Sequence, residues 1–122
     1  MKGNILLIDD STALAESLAS ILRMEDFQVT IVSNGARALA QIEKQIPDLV
    51  ITDMLMPELN GIELIKRLRA QERFQKLPII ALSADARDGR SKDGLSAGAD
   101  LFFTKPFDEN ILIESIEKLL AK

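Results

Sequence analysis

The stretch from Asp48 to Pro57 restricts the fold more than any other. Leu49, Val50, Ile51 and Thr52 run without a break into one carboxylate, Asp53, before Pro57 and Asn60-Gly61 interrupt the chain. A short apolar run with turn signals at both ends fits a strand of a parallel sheet, covered on both faces. A carboxylate where such a strand ends sits at the sheet's C-terminal edge, where α/β folds place their ligand sites. Taken alone, Asp53 is more simply the cap of a turn or helix. Its meaning depends on what ends the other strands.

Strand-like and helix-like segments alternate along the whole chain. Asn4–Ile8 is a first buried strand ending in Asp9-Asp10-Ser11, and Leu14, Leu18, Ile21 and Leu22 then recur at helical spacing between Thr12 and Met24. Gln28–Val32 is short, β-branched and less apolar, which suits an edge strand. Ala36 to Ile46 carries Leu39, Ile42 and Ile46 at helical intervals and is stopped by Pro47. Beyond the strand that ends at Asp53, Ile62, Ile65 and Leu68 predict a helix to about Ala70. Pro78 introduces a fourth buried run that ends at Ser83-Ala84. The residues from about Ala86 to Ala97 read as a helix, short or loosely held, because Gly89 and Gly94 each cost about 1 kcal/mol in a helix interior. Leu101–Thr104 is the fifth strand, ending at Lys105-Pro106, and Asp108 is a good N-cap for a last helix lined by Leu112, Ile116 and Leu119. The expectation is a single α/β domain over residues 1–122, a doubly wound five-stranded parallel sheet with helices on both faces. Strand order 2-1-3-4-5 would put Gln28–Val32 at an edge and set the ends of strands one and three side by side.

Composition narrows the chemistry. A chain of 122 residues that is 47% hydrophobic and 28% charged is ordinary globular material, large enough for a core without staples. No apolar run approaches the ~20 residues that span a bilayer, and the start of the chain carries no signal-peptide pattern, so the cytoplasm is the expected compartment. A net charge of −4 argues against nonspecific binding to nucleic acid. With no cysteine there is neither a disulfide framework nor thiolate chemistry. With no histidine the chain cannot supply an imidazole base, a histidine zinc ligand or a phosphohistidine. Any phosphohistidine must belong to a partner.

At the C-terminal ends of strands one, three, four and five stand Asp9 and Asp10, Asp53, Ser83 and Lys105 in turn. Carboxylates converging without a counter-ion would repel one another and oppose folding. A Mg²⁺ site makes physical sense of them, because that ion takes hard oxygen ligands and keeps some waters. Lys105 supplies a point charge and Ser83 a hydroxyl for an incoming anion. A phosphoryl group is the natural candidate, its oxygens neutralised while a carboxylate attacks in line. Each residue also has a plain explanation: Asp9 and Asp10 can start a helix, Ser83 can be a turn hydroxyl, and Lys105 a solvated charge. Their joint occurrence, each at the end of a strand, is hard to obtain from caps alone.

In combination these motifs resemble the receiver domain of two-component response regulators, from about Lys2 to Leu120. They are an acidic pair after strand one, Asp53…Pro57…Gly61, the hydroxyl-small pair Ser83-Ala84, and Lys105-Pro106-Phe107. The resemblance implies a flavodoxin-like fold, with Asp53 as phosphoacceptor. It implies Mg²⁺ bound by Asp10, Asp53 and the backbone carbonyl of Leu55, with Asp9 acting mainly through water. Lys105 would contact a phosphoryl oxygen, Ser83 would swing toward the phosphate, and Phe102 would follow it inward. The family often has tyrosine at that last position; phenylalanine keeps the ring but lacks the hydroxyl. Lys105–Pro106 resembles the family's cis peptide.

The function implied is a phosphorylation switch rather than an enzyme with an external substrate. A histidine kinase or histidine phosphotransfer protein would be the donor and a further protein the downstream partner, with neither nucleic acid nor membrane involved. The readout surface would combine the helix expected over about 86–97, the fifth strand and the last helix. Gly89 and Gly94 suit an element of low local stability there. A stand-alone receiver is expected, with a receiver excised from a larger protein as the alternative; it would be a monomer or a phosphorylation-dependent dimer. Two other classes compete. An interaction module that takes no phosphate would share the fold, although all five site residues are present. A phosphohydrolase would need a second acid near the nucleophile, and Met54 and Leu55 follow Asp53 instead.

Overall fold

A computed structural model of the chain describes residues 2–54, 60–83 and 97–121. The expectations for Leu55, Pro57, Ala84, Gly89, Gly94 and the helix over about 86–97 lie outside the described residues. Five parallel strands, β1 (Asn4–Ile8), β2 (Gln28–Val32), β3 (Leu49–Asp53), β4 (Ile79–Ser83) and β5 (Leu101–Thr104), form one sheet in the order β2-β1-β3-β4-β5. The described helices are α1 (Thr12–Met24), α2 (Gly35–Lys44), α3 (Gly61–Arg69) and α4 (Glu109–Leu120), with a 3₁₀ turn at Glu72–Phe74.

Alternation along each central strand divides the core in two. Ile5, Leu7, Leu49, Ile51, Ile80 and Leu82 face α1 and α4, while Leu6, Ile8, Val50, Ile79 and Ala81 face α2 and α3. β1, β3 and β4 are therefore apolar on both sides, and the edge strand β2 is exposed at Gln28 and Thr30. Helix starts follow from short polar side chains. Asn34 accepts the N–H of Arg37 at 2.8 Å, Asn60 that of Glu63 at 3.0 Å, and Asp108 that of Asn110 at 2.8 Å.

Two apolar residues depart from the expected stripes. Leu14 is 57% exposed, because α1 packs through Ala15, Leu18, Ala19 and Leu22. Ile46 lies beyond the end of α2 and is also exposed: the chain is already extended at Gln45, ahead of Pro47. The 3₁₀ turn was not expected from the sequence, yet it buries Phe74 completely against α3 and β4.

That turn is tied down by Arg69 at the end of α3. One guanidinium nitrogen donates to the carbonyls of Phe74 and Leu77, both at 2.7 Å, a second to the carbonyl of Gly98 at 2.9 Å, and the third to Asp100 at 3.1 Å. Asp100 in turn accepts the N–H of Ile79 at 2.8 Å, which joins the starts of β4 and β5. Gly98 is needed twice over. Its φ is +124°, and a Cβ there would stand 2.6 Å from the Arg69 Cγ.

Candidate functional site

All strands run the same way, so their C-terminal ends share one edge, and there the chain assembles an acidic pocket. Asp9 follows β1, and its N–H still donates to Val32 of β2 at 3.2 Å. One carboxylate oxygen of Asp9 accepts the N–H of Ser11 at 2.9 Å, which fixes the turn into α1. The other lies 3.4 Å from the Lys105 Nζ. Asp9 therefore holds a turn and faces the pocket at once, while the N-cap of α1 is Ser11. Asp10 is exposed, Asp9 buried and Asp53 half-buried, and the three offer carboxylate oxygens that lie within 4.8 Å of one another.

Lys105 reaches the pocket from the end of β5. Its N–H donates to the carbonyl of Ser83 at 2.7 Å, so β4 and β5 stay paired to this point, and its peptide to Pro106 is cis. The ammonium stands 3.7 Å from Asp53 and bridges that acid to Asp9. Ser83, completely buried, ends β4 beside them. Phe102 is half-buried against the cluster that faces α2 and α3.

Among the described residues, three carboxylates gather round the Lys105 ammonium in a half-exposed pocket of oxygen donors. That donor set fits a hard divalent cation such as Mg²⁺ better than a softer metal.

Two features that shape the pocket were not read from the sequence. Thr52 is fully buried, and its hydroxyl donates to the carbonyl of Asp53 at 3.0 Å. Gly61, noted only as part of a motif, marks where α3 comes against the end of β3. A Cβ there would lie 2.5 Å from the Asp53 carbonyl oxygen and 2.9 Å from the Met54 Cα. Both neighbours are backbone, so the helix or the strand end must give way. Gly61→Ala is expected to cost about 1–3 kcal/mol, the usual range for overpacking. Chemical denaturation checks it, and an unchanged midpoint would contradict the close approach.

This combination defines a flavodoxin-like α/β protein with an acidic pocket at the carboxyl edge of its sheet. The family model for the response regulator receiver domain matches residues 5–117, and the chain belongs to that family. Response regulator Rre1 of Synechocystis is 35% identical over 120 residues, which cover 98% of this chain and 52% of the relative. The chain thus spans about half the length of the curated relatives it matches. Among solved structures, the receiver domain of a signal transduction histidine kinase from Syntrophus aciditrophicus superposes with a TM-score of 0.92 at 35% identity, covering 98% of this chain and 90% of that one. The receiver domain of a sensor histidine kinase from Pseudomonas aeruginosa, with magnesium coordinated in its active-site cleft, gives 0.91 at 31% identity, covering 98% of each chain. No helix among the described residues is long and apolar enough to cross a membrane.

Proposed function

We propose that residues 1–122 act as one phosphorylation-dependent switch, with Asp53 as the phosphoacceptor. The observation that carries this reading is the position of Lys105, whose ammonium lies within 4 Å of both Asp9 and Asp53 beside a three-carboxylate cluster. The donor is a partner's phosphohistidine, on a histidine kinase or a histidine phosphotransfer protein. An Asp53 carboxylate oxygen forms the new bond to phosphorus as the P–N bond breaks, and the donor, protonated on its other ring nitrogen, takes the P–N electron pair and leaves as neutral imidazole. Lys105 holds a phosphoryl oxygen, and Ser83 donates its hydroxyl to another. Asp10, Asp53 and the backbone carbonyl of Leu55 would hold Mg²⁺, with Asp9 acting mainly through water, and the ion would supply positive charge toward the phosphoryl oxygens. The magnesium reported in the Pseudomonas aeruginosa receiver domain supports that assignment.

Ser83 and Phe102 then bias two pre-existing states, and the output is a change in protein contacts on the face that includes β5 and α4. Turnover of an external substrate is not part of this function, nor are nucleic acid or a membrane. The protein works in the cytoplasm, as a monomer or as a dimer that forms on phosphorylation.

Intact mass after incubation with a small phosphodonor tests the reading. One phosphoryl adduct is expected with Mg²⁺ and none after chelation; an adduct indifferent to chelation would count against it. Metal binding has its own readout. Mg²⁺ at about a hundredfold over its Kd should stabilise the fold by about 2.7 kcal/mol. A melting temperature that stays flat through a Mg²⁺ titration would remove the metal from the account.

A further inference from the structure

We infer that Thr52 is a positioning residue for Asp53, acting through the peptide that follows the acid. The inference rests on the reading of Asp53 as phosphoacceptor and metal ligand. Among the described residues the buried polar side chains are Asp9, Thr52 and Ser83; Asp9 lies in the pocket, and the proposed function gives Ser83 a role there. Thr52 follows the aliphatic Leu49, Val50 and Ile51 in β3, and its register partners are Ile8 and Ala81. Valine would fill the same space without burying a hydroxyl, so packing alone does not account for threonine. A buried hydroxyl takes an acceptor, and this one takes the Asp53 carbonyl at 3.0 Å.

The choice of acceptor matters because the bond spans a single residue. It ties the side chain of Thr52 to the torsion between the Asp53 Cα and its carbonyl, and so to the direction in which the chain leaves the strand. The same peptide is gripped elsewhere too. Its N–H, on Met54, donates to the carbonyl of Leu82 at 2.9 Å, and its carbonyl oxygen lies against Gly61 where a Cβ would be 2.5 Å away. The pairing of β1 with β3 ends at Ile8 and Thr52, and the Asp9 N–H turns to Val32 of β2. The hydroxyl thus adds a donor just past the end of that ladder. An acid whose oxygens must stay within 4.8 Å of those of Asp9 and Asp10 gains from a backbone that cannot rotate.

The test is Mg²⁺ titration by calorimetry, paired with thermal melts of the metal-free proteins. Thr52→Val is expected to weaken Mg²⁺ binding about tenfold, in line with the loss of an orienting partner, while Thr52→Ser stays near wild type. Thr52→Ala lacks the hydroxyl without adding bulk and reports the same loss should Thr52→Val fail to fold. A merely structural role would lower the metal-free melting temperature and leave Mg²⁺ affinity unchanged; that result overturns the inference, as does Thr52→Ser behaving like Thr52→Val. If the wild-type protein itself takes up no Mg²⁺, the reading of the site fails, and this inference with it.

Discussion

Asp53→Asn is expected to abolish phosphoryl uptake from a small donor, leaving a single unmodified mass where the wild type shows an adduct. The carboxamide keeps the size and burial of the side chain but has no anionic oxygen to attack phosphorus, so the bond cannot form at this position. Its effect on folding should run the other way. Asp9, Asp10 and Asp53 crowd their oxygens within 4.8 Å, and among the described residues Lys105 stands against Asp9 and Asp53. Removing one charge relieves repulsion, so without metal the variant should melt no lower than wild type. With one ligand gone, the stabilisation by Mg²⁺ should shrink as well. An adduct on the variant as large as on the wild type would show that another residue takes the phosphate.

Arg69→Met is expected to cost about 3 kcal/mol, from hydrogen bonds to a charged donor worth roughly 1.5–3 kcal/mol each before relaxation. For a chain of this size that is on the order of a 10 °C fall in melting temperature. The loss is large because a single guanidinium holds the carbonyls of Phe74, Leu77 and Gly98 together with Asp100, and its side chain is only 17% exposed. Surface ion pairs such as Arg73 with Glu43 have no such reach and contribute little. Lysine at position 69 should rescue almost nothing, since one ammonium cannot span the same acceptors. Thermal melts of both variants decide it, and a change under a couple of degrees would show that the network is dispensable.

Most of the architecture could be read in advance because parallel strands announce themselves. Ile5–Ile8, Leu49–Ile51 and Ile79–Leu82 are apolar without alternation, and their lengths and breaks set the strand ends within a residue or two. From the strand ends came the pocket: Asp9, Asp53 and Lys105 meet because the topology brings their strands to one edge, where Ser83 ends β4. What escaped notice depends on contacts between residues far apart in the chain. Helical spacing put Leu14 on the buried stripe of α1, but the helix packs through Ala15, Leu18, Ala19 and Leu22, which leaves Leu14 facing outward. Arg69 belongs to no motif in the sequence, and its acceptors are spread from Phe74 to Asp100. Thr52 read as one more β-branched strand residue. Only the backbone geometry past Asp53 shows what its hydroxyl is for.

If Asp53 carries the phosphoryl group, the protein holds an acyl phosphate. Borohydride reduces an acyl phosphate to the alcohol, so trapping the phosphorylated protein and sequencing its peptides names the acceptor directly. Homoserine at position 53, dependent on Mg²⁺ during phosphorylation, is the predicted result. Homoserine at position 9 or 10, or phosphate retained on a hydroxyl residue with position 53 unaltered, would contradict it.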